Sequence, residues 1–74
     1  MYLVNSQQTI GVIEGKKKVQ VTIVADTASD LPEYNKCNGV DGELTLGSMA
    51  FVTGSGKAYA MTSNGTWNEI GGNN

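Results

Sequence analysis

Two short motifs near the end of the chain contain residue types that could do chemistry. Residues 54–57 read GSGK, which resembles the end of a phosphate-binding loop. Such a loop needs a glycine five positions before its GK pair and a hydroxyl residue after the lysine, so that amides and hydroxyl surround the phosphates. Phe51 and Ala58 occupy those two positions. The sequence therefore predicts a turn at GSGK and no phosphate site.

Residues 64–66 read NGT, which satisfies the pattern of an N-glycosylation acceptor. The first residues, MYLVNSQQT, have neither the charged start nor the apolar middle of a signal peptide. No segment approaches the roughly 18 apolar residues of a membrane span. We therefore expect a protein that is made in the cytoplasm, is not secreted and has no membrane partner, in which NGT is a turn.

Residues 33–43 contain the groups that could bind a metal or transfer protons. Glu33, Asp41 and Glu43 could supply a carboxylate pair, but no apolar pocket is apparent that would separate their acidities. A calcium site needs about six or more oxygens. Because the chain has no histidine and one cysteine, Cys37, neither a zinc site nor an intrachain disulfide can be assembled. We expect an inert thiol, no metal, no cofactor and no catalytic residue, and hence a protein that is not an enzyme.

Two aromatic side chains, Tyr34 and Trp67, could serve either ligand binding or packing. Tyr34, in a polar loop, and Trp67, near small residues, could form a ligand-binding patch such as that of a carbohydrate-binding module. A lone tryptophan in a small domain is more often its packing centre. We favour packing of the core or of a subunit interface, with carbohydrate binding as an alternative.

Charge and length restrict the possible partners. Five lysines, no arginine and seven carboxylates give a formal net charge of −2, which argues against a nucleic-acid partner. The lysine run at residues 16–18 is interpreted as a solvated turn that keeps a sheet edge soluble, with a weak phosphate or anionic contact as the alternative. A 74-residue chain is one domain at most and buries only about 60% of its unfolded surface. Oligomerisation is therefore the expected reinforcement.

The elements that position these residues are those of an all-β fold, because threonine, valine and glycine are common and turn signals recur. TIGVIEGKKKVQVTIVAD predicts an amino-terminal β-hairpin with a two-residue type II′ turn that begins at Gly15. This register places Val12 opposite Val19 and Ile10 opposite Val21. The predicted core face of the hairpin contains Ile10, Val12, Val19, Val21 and Ile23.

The middle of the chain predicts a short helical turn followed by an irregular loop. Thr27 and Asp30 have the spacing of a helix-start cap, and Pro32 ends the turn. Leu31 is expected to enter the core. Residues 32–42 are mostly polar with two Gly-containing turn signals, which predicts a loop.

The last third of the chain predicts a three-stranded antiparallel meander. A three-residue loop at 54–56 pairs Phe51 with Tyr59, and a two-residue turn at 64–65 pairs Tyr59 with Ile70. The two registers together predict a core face of Met49, Phe51, Tyr59, Met61 and Ile70. The opposite face, which could accept another sheet, contains Ala50, Val52, Ala58, Ala60 and Trp67. Residues 1–70 are expected to form a single domain and residues 71–74 a flexible tail.

The segments between Val21 and Ile70 follow one another in a distinctive order. ADTASDLP precedes a polar loop with glycines, and then come a GS.A strand, a GK.Y.M strand and a G.W..I strand within GSMAFVTGSGKAYAMTSNGTWNEI. This order resembles a small module of tailed-bacteriophage structural proteins, especially those of prophages in Gram-positive bacteria. The resemblance implies a virion component, either a head fibre or decoration protein or a tail or neck accessory protein, often symmetric and trimeric. It supplies no catalytic residues.

We therefore predict a non-enzymatic virion structural protein that contacts capsid or tail proteins and other copies of itself. The short apolar start MYLV could add a strand to a neighbour. The residues predicted to make subunit or virion contacts are Tyr2, Leu3, Val4, Ala58, Ala60 and Trp67. The alternatives are a small phage-encoded inhibitor that binds a host protein and a carbohydrate-binding module.

Overall fold

The computed structural model describes residues 1–70 and shows an all-β protein built on one mixed sheet of six strands. The strands are β1 (Tyr2–Ile13), β2 (Lys16–Ala25), β3 (Glu43–Leu44), β4 (Met49–Val52), β5 (Lys57–Met61) and β6 (Trp67–Ile70). They lie in the order β1-β2-β4-β5-β6, and β3 also pairs with β2. The predicted all-β fold is confirmed, whereas the tail predicted at residues 71–74 lies outside the described residues.

The predicted amino-terminal hairpin is confirmed, but its turn and register differ from the prediction. Glu14 and Gly15 form the turn, with φ angles of 55° and 79°, so both central residues are left-handed, as a type I′ turn requires. Ile13 therefore pairs with Lys16, and two register shifts farther along β1 move the pairing again. These shifts have the form of β-bulges, in which an extra residue is left unpaired.

The new register removes two residues from the predicted core. Val19 and Val21 face Thr9 and Gln7 of β1 instead of Val12 and Ile10. The predictions for Ile10 and Val12 are therefore wrong, and both side chains are exposed.

The two halves of the chain join because β2 and β4 pair in parallel, with Ile23 beside Ala50 and Ala25 beside Val52. Parallel neighbours require a long crossover connection, which residues 26–48 provide. This crossover begins with the predicted helical turn, a 3₁₀ helix at Ala28–Asp30. The Thr27 N–H donates a 3.2 Å hydrogen bond to the Asp30 carboxylate, as the cap spacing predicts.

The core lies between one face of the sheet and the crossover. Of the predicted core residues, Val19, Val21, Ile23 and Met61 are buried, and Leu31 and Tyr59 pack against them while partly buried. The buried cluster is completed by Ala25 of β2, Cys37 and Leu44 of the crossover, and Ala50 of β4. We call this side of the sheet the covered face and the other side the open face.

The predicted meander of β4, β5 and β6 is confirmed, but each connection leaves the pairing one residue away from the predicted register. Phe51 pairs with Ala58, and Ala58 pairs with Ile70. Since side chains alternate between faces, a one-residue shift in each pairing inverts β4 and β6 relative to β5, whose Tyr59 and Met61 stay on the covered face. Ala50 and Val52 are buried, whereas Phe51 and Ile70 are exposed. The core predictions for Phe51 and Ile70 are wrong, and Met49 lies half-buried on the open face.

Candidate functional site

A continuous line of apolar side chains crosses the open face of the sheet. Directly paired positions on β1, β2, β4, β5 and β6 lie on the same face, so their side chains are neighbours. The line, which we call the apolar row, consists of Leu3, Val24, Phe51, Ala58 and Ile70. Its four large members are 36–63% exposed, with Leu3 at the upper end and Phe51 at 44%.

The apolar row exists because the central strands are apolar on both faces. In β2, Ile23 and Ala25 point into the core while Val24 between them points outward; in β4, Ala50 and Val52 flank Phe51 in the same way. Such continuous apolar runs are typical of strands that are covered on both sides. The crossover covers one side, and no segment of residues 1–70 covers the apolar row on the other.

One side of the apolar row is uncharged. The next line of paired positions across the same five strands consists of Ser6, Thr22, Met49, Ala60 and Asn68. Charged groups occur at the two ends of the face, and they are paired there. Lys18 and Glu43 lie 2.7 Å apart at one end. At the other end, the amino-terminal nitrogen of Met1 lies 2.6 Å from Asp30 and 3.7 Å from Asp26.

The six predicted contact residues divide between the two faces. Leu3, Ala58 and Ala60 lie on the open face, whereas Tyr2, Val4 and Trp67 pack against the core cluster. The prediction that Trp67 lies above Ala58 and Ala60 is wrong, because the pairing of Met61 with Trp67 puts the indole on the covered face. The apolar start also pairs within its own chain, since Tyr2, Leu3 and Val4 lie opposite β2.

The predicted contact residues do not include Val24, Phe51 and Ile70. The predicted turn lengths place Phe51 and Ile70 in the core instead. The signal that could have found them is the unbroken apolar character of IVA in β2 and AFV in β4, which indicates that both faces of these strands require cover.

The aromatic residues considered for ligand binding hold the crossover on the sheet. The Trp67 indole N–H donates a 2.8 Å hydrogen bond to the carbonyl oxygen of Pro32. The Tyr34 ring lies against Gly65, so closely that a Cβ atom there would come within 2.9 Å of it. Both rings pack against the core cluster, so their contacts serve packing.

The lysine run has ion-pair partners in the crossover, although Lys16 and Lys17 remain exposed to solvent, as predicted. Lys18 and Lys16 approach the Glu43 carboxylate at 2.7 and 3.8 Å, and Lys17 lies 3.1 Å from Asp41. The hydrogen bond from Lys18 lowers the pKa of Glu43 below its usual value, against an opposing effect of burial. The partly buried pair of Lys18 and Glu43 therefore links β2 to β3, whereas the exposed pair of Lys17 and Asp41 contributes little.

The Cys37 thiol is buried under the amino-terminal strand. Burial raises its pKa, although an interaction with the Tyr2 hydroxyl acts in the opposite direction. That hydroxyl accepts a 2.9 Å hydrogen bond from the Asn38 N–H. Within residues 1–70, no three His, Cys, Asp or Glu side chains are grouped as metal ligands. A protonated, buried thiol is a poor nucleophile.

The two sequence motifs lie in connections, as predicted. GSGK falls at the β4–β5 turn, where the Gly56 N–H bonds to the Val52 carbonyl at 2.9 Å, and NGT falls between β5 and β6. No helix in the described part of the chain is long and apolar enough to cross a membrane. No protein-family model matches the chain, and neither a curated protein nor a solved structure matches it significantly.

Proposed function

We propose that this chain is a non-enzymatic structural protein of a tailed-bacteriophage virion, made in the host cytoplasm and assembled as a head fibre, head decoration or tail accessory module. It works through contacts with other virion proteins and with copies of itself. The observation that carries the proposal is the apolar row, exposed on a sheet face that residues 1–70 leave uncovered.

The energetics of the apolar row suit a repeated structural contact. Complete burial of one large apolar side chain contributes about 1.5–3 kcal/mol. Since the four large members are already partly covered, hiding the rest contributes about 3–5 kcal/mol before the cost of association. A single contact of this size is weak, but repetition over many symmetric positions gives strong attachment by avidity.

The assignment to a virion rests on the resemblance in the order of the sequence segments. DLP begins at the last residue of the 3₁₀ helix, and the three glycine-led patterns contain β4, β5 and β6. A carbohydrate-binding role is less well supported, because Trp67 and Tyr34 are engaged in holding the crossover.

Mass spectrometry of gradient-purified phage particles from the strain that encodes the chain tests this proposal. Trypsin should release two diagnostic peptides, residues 19–36 and 37–57, which end at Lys36 and Lys57. We expect both peptides in particles at a constant ratio to the major capsid protein through successive purification steps. A chain found only in the soluble lysate, bound to a host protein, would overturn the virion proposal in favour of a host-protein inhibitor.

A further inference from the structure

We infer that Asn38 is a site of spontaneous deamidation in the folded protein, and that this modification loosens the attachment of β1 to the crossover. The chain contains two Asn-Gly pairs, Asn38–Gly39 and Asn64–Gly65. Asparagine before glycine is prone to deamidation because glycine has no side chain to hinder the attack of its backbone nitrogen on the asparagine amide. The structure distinguishes the two pairs, since their reacting groups differ in accessibility.

The reaction consumes water and needs no other reagent. The backbone nitrogen of Gly39 loses its proton to base and forms a bond to Cγ of Asn38, while the bond from Cγ to Nδ2 breaks and ammonia leaves with a solvent proton. The product is a five-membered succinimide. Water then hydrolyses one of its two carbonyl groups, which gives either aspartate or isoaspartate. Each event therefore replaces a neutral amide with a carboxylate.

The reacting groups of the first pair are accessible. Asn38 and Gly39 are both exposed, and nothing lies within 4 Å of the position that a Cβ atom would take at Gly39. Within residues 1–70, the Gly39 N–H donates to no acceptor. The attacking nitrogen is therefore accessible both to base and to the Asn38 side chain.

The second pair is held in a tight turn. The Gly65 N–H donates a 3.0 Å hydrogen bond to the Thr62 carbonyl oxygen, and the Asn64 N–H donates to Thr62 Oγ1 at 3.3 Å. Gly65 also lies against the Tyr34 ring, where a Cβ atom would come within 2.9 Å. The Gly65 nitrogen must leave its hydrogen bond before it can attack. We therefore expect Asn64 to react about fivefold more slowly than Asn38, which is the population cost of breaking one typical hydrogen bond.

Deamidation of Asn38 changes a segment that holds the first strand. The Asn38 N–H donates a 2.9 Å hydrogen bond to the Tyr2 hydroxyl, and the Gly39 carbonyl oxygen accepts a 3.3 Å hydrogen bond from the Gln7 side-chain amide. Isoaspartate inserts one additional methylene into the main chain between these two groups. We expect the longer main chain to break at least one of the two hydrogen bonds to β1 and thereby to lower stability.

Ageing of the purified full chain in mildly alkaline buffer, followed by trypsin and tandem mass spectrometry, measures both rates. Residues 37–57 contain a single asparagine, Asn38, and fragment ions of residues 58–74 locate Asn64. The native protein should deamidate at Asn38 about fivefold faster than at Asn64. In guanidinium chloride, which unfolds both turns, the two rates should become similar. A native rate at Asn64 that equals or exceeds the rate at Asn38 would overturn the inference, as would a difference that persists in guanidinium chloride.

Asn38→Asp is the matched control for the effect on β1, because it adds the same carboxylate without the additional methylene. The isoaspartate form, separated chromatographically from the aged protein, should unfold at a lower urea concentration than the unchanged protein. Asn38→Asp should unfold close to the unchanged protein. An unchanged midpoint for the isoaspartate form would overturn the proposed loosening of β1, and an equal fall for Asn38→Asp would overturn its explanation by main-chain length.

Discussion

Trp67 and Pro32, 35 residues apart, are joined by a 2.8 Å hydrogen bond from the indole N–H to the prolyl carbonyl oxygen. This contact ties the last strand to the beginning of the crossover, which covers one face of the sheet. The indole and the crossover thus lie on the same, covered face, and the open face remains exposed.

Trp67→Phe should lower the free energy of unfolding by about 1 kcal/mol, because it keeps an aromatic ring but removes the hydrogen-bond donor. Urea unfolding followed by circular dichroism measures the change. Trp67→Ala, which also removes the ring, should cost more, by a few kcal/mol in total. A Trp67→Phe protein as stable as the unchanged one would show that the Pro32 contact contributes nothing.

Ser48→Ala should lower the free energy of unfolding by about 1–3 kcal/mol, since it leaves a buried donor without an acceptor. The Ser48 side chain is fully buried, and its hydroxyl oxygen accepts a 3.2 Å hydrogen bond from the Val21 N–H. The control is Ser55→Ala in the exposed β4–β5 turn, for which we expect a change within about 0.5 kcal/mol. Equal denaturation midpoints for the two variants would contradict this account of Ser48.

Gly65→Ala and Gly39→Ala separate backbone strain from steric contact. Both glycines have φ of 84°, but a Cβ atom at Gly65 would lie 2.9 Å from the Tyr34 ring, whereas at Gly39 nothing lies within 4 Å. Each variant should lose about 1–2 kcal/mol from left-handed strain. Gly65→Ala should lose a further 1–3 kcal/mol or so from overpacking. Thermal unfolding of the pair measures the difference, and equal losses would refute the close approach of Tyr34.

Glu43→Gln should make stability less sensitive to acid. The hydrogen bond from Lys18 holds the pKa of Glu43 below the ordinary value of 4.5. This stabilisation is therefore complete above the unfolded-state pKa and is lost as the pH falls through the lower folded-state pKa. The stability advantage of the unchanged protein over Glu43→Gln should shrink between pH 6 and pH 3, as urea midpoints can show. Lys18→Met should reduce the acid sensitivity in the same way, and a pH-independent advantage would exclude the ion pair as its source.

The sequence was sufficient to predict the hairpin, the helical turn and the meander, because alternating apolar residues and turn signals are local features. It was not sufficient to predict their registers. Glu14 occupies a left-handed position that glycine usually takes, so the turn begins one residue earlier than residue preference suggests. A one-residue difference at each meander turn then moved Phe51 and Ile70 out of the predicted core.

The joining of the two halves could not be read from local patterns. The parallel pairing of β2 with β4 brings Val24 beside Phe51, and it depends on how residues 26–48 fold over the core. Leu3 and Ala58 were therefore predicted as contact residues without the neighbours that connect them into a row. The apolar row depends on all four pairings between its five strands, and therefore it could not be predicted from any single strand or hairpin.

The central claim is that the apolar row attaches this chain to its assembly, and particle occupancy tests it most directly. Phage would be produced with Phe51→Ser or with the control Leu46→Ser, which changes an exposed leucine outside the apolar row. The particles would be purified, and the copies of the chain per capsid protein would be counted by quantitative mass spectrometry. Both variants should be folded and equally abundant in the lysate. We predict at least a tenfold loss from particles for Phe51→Ser and normal occupancy for Leu46→Ser, whereas normal occupancy for Phe51→Ser would contradict the claim.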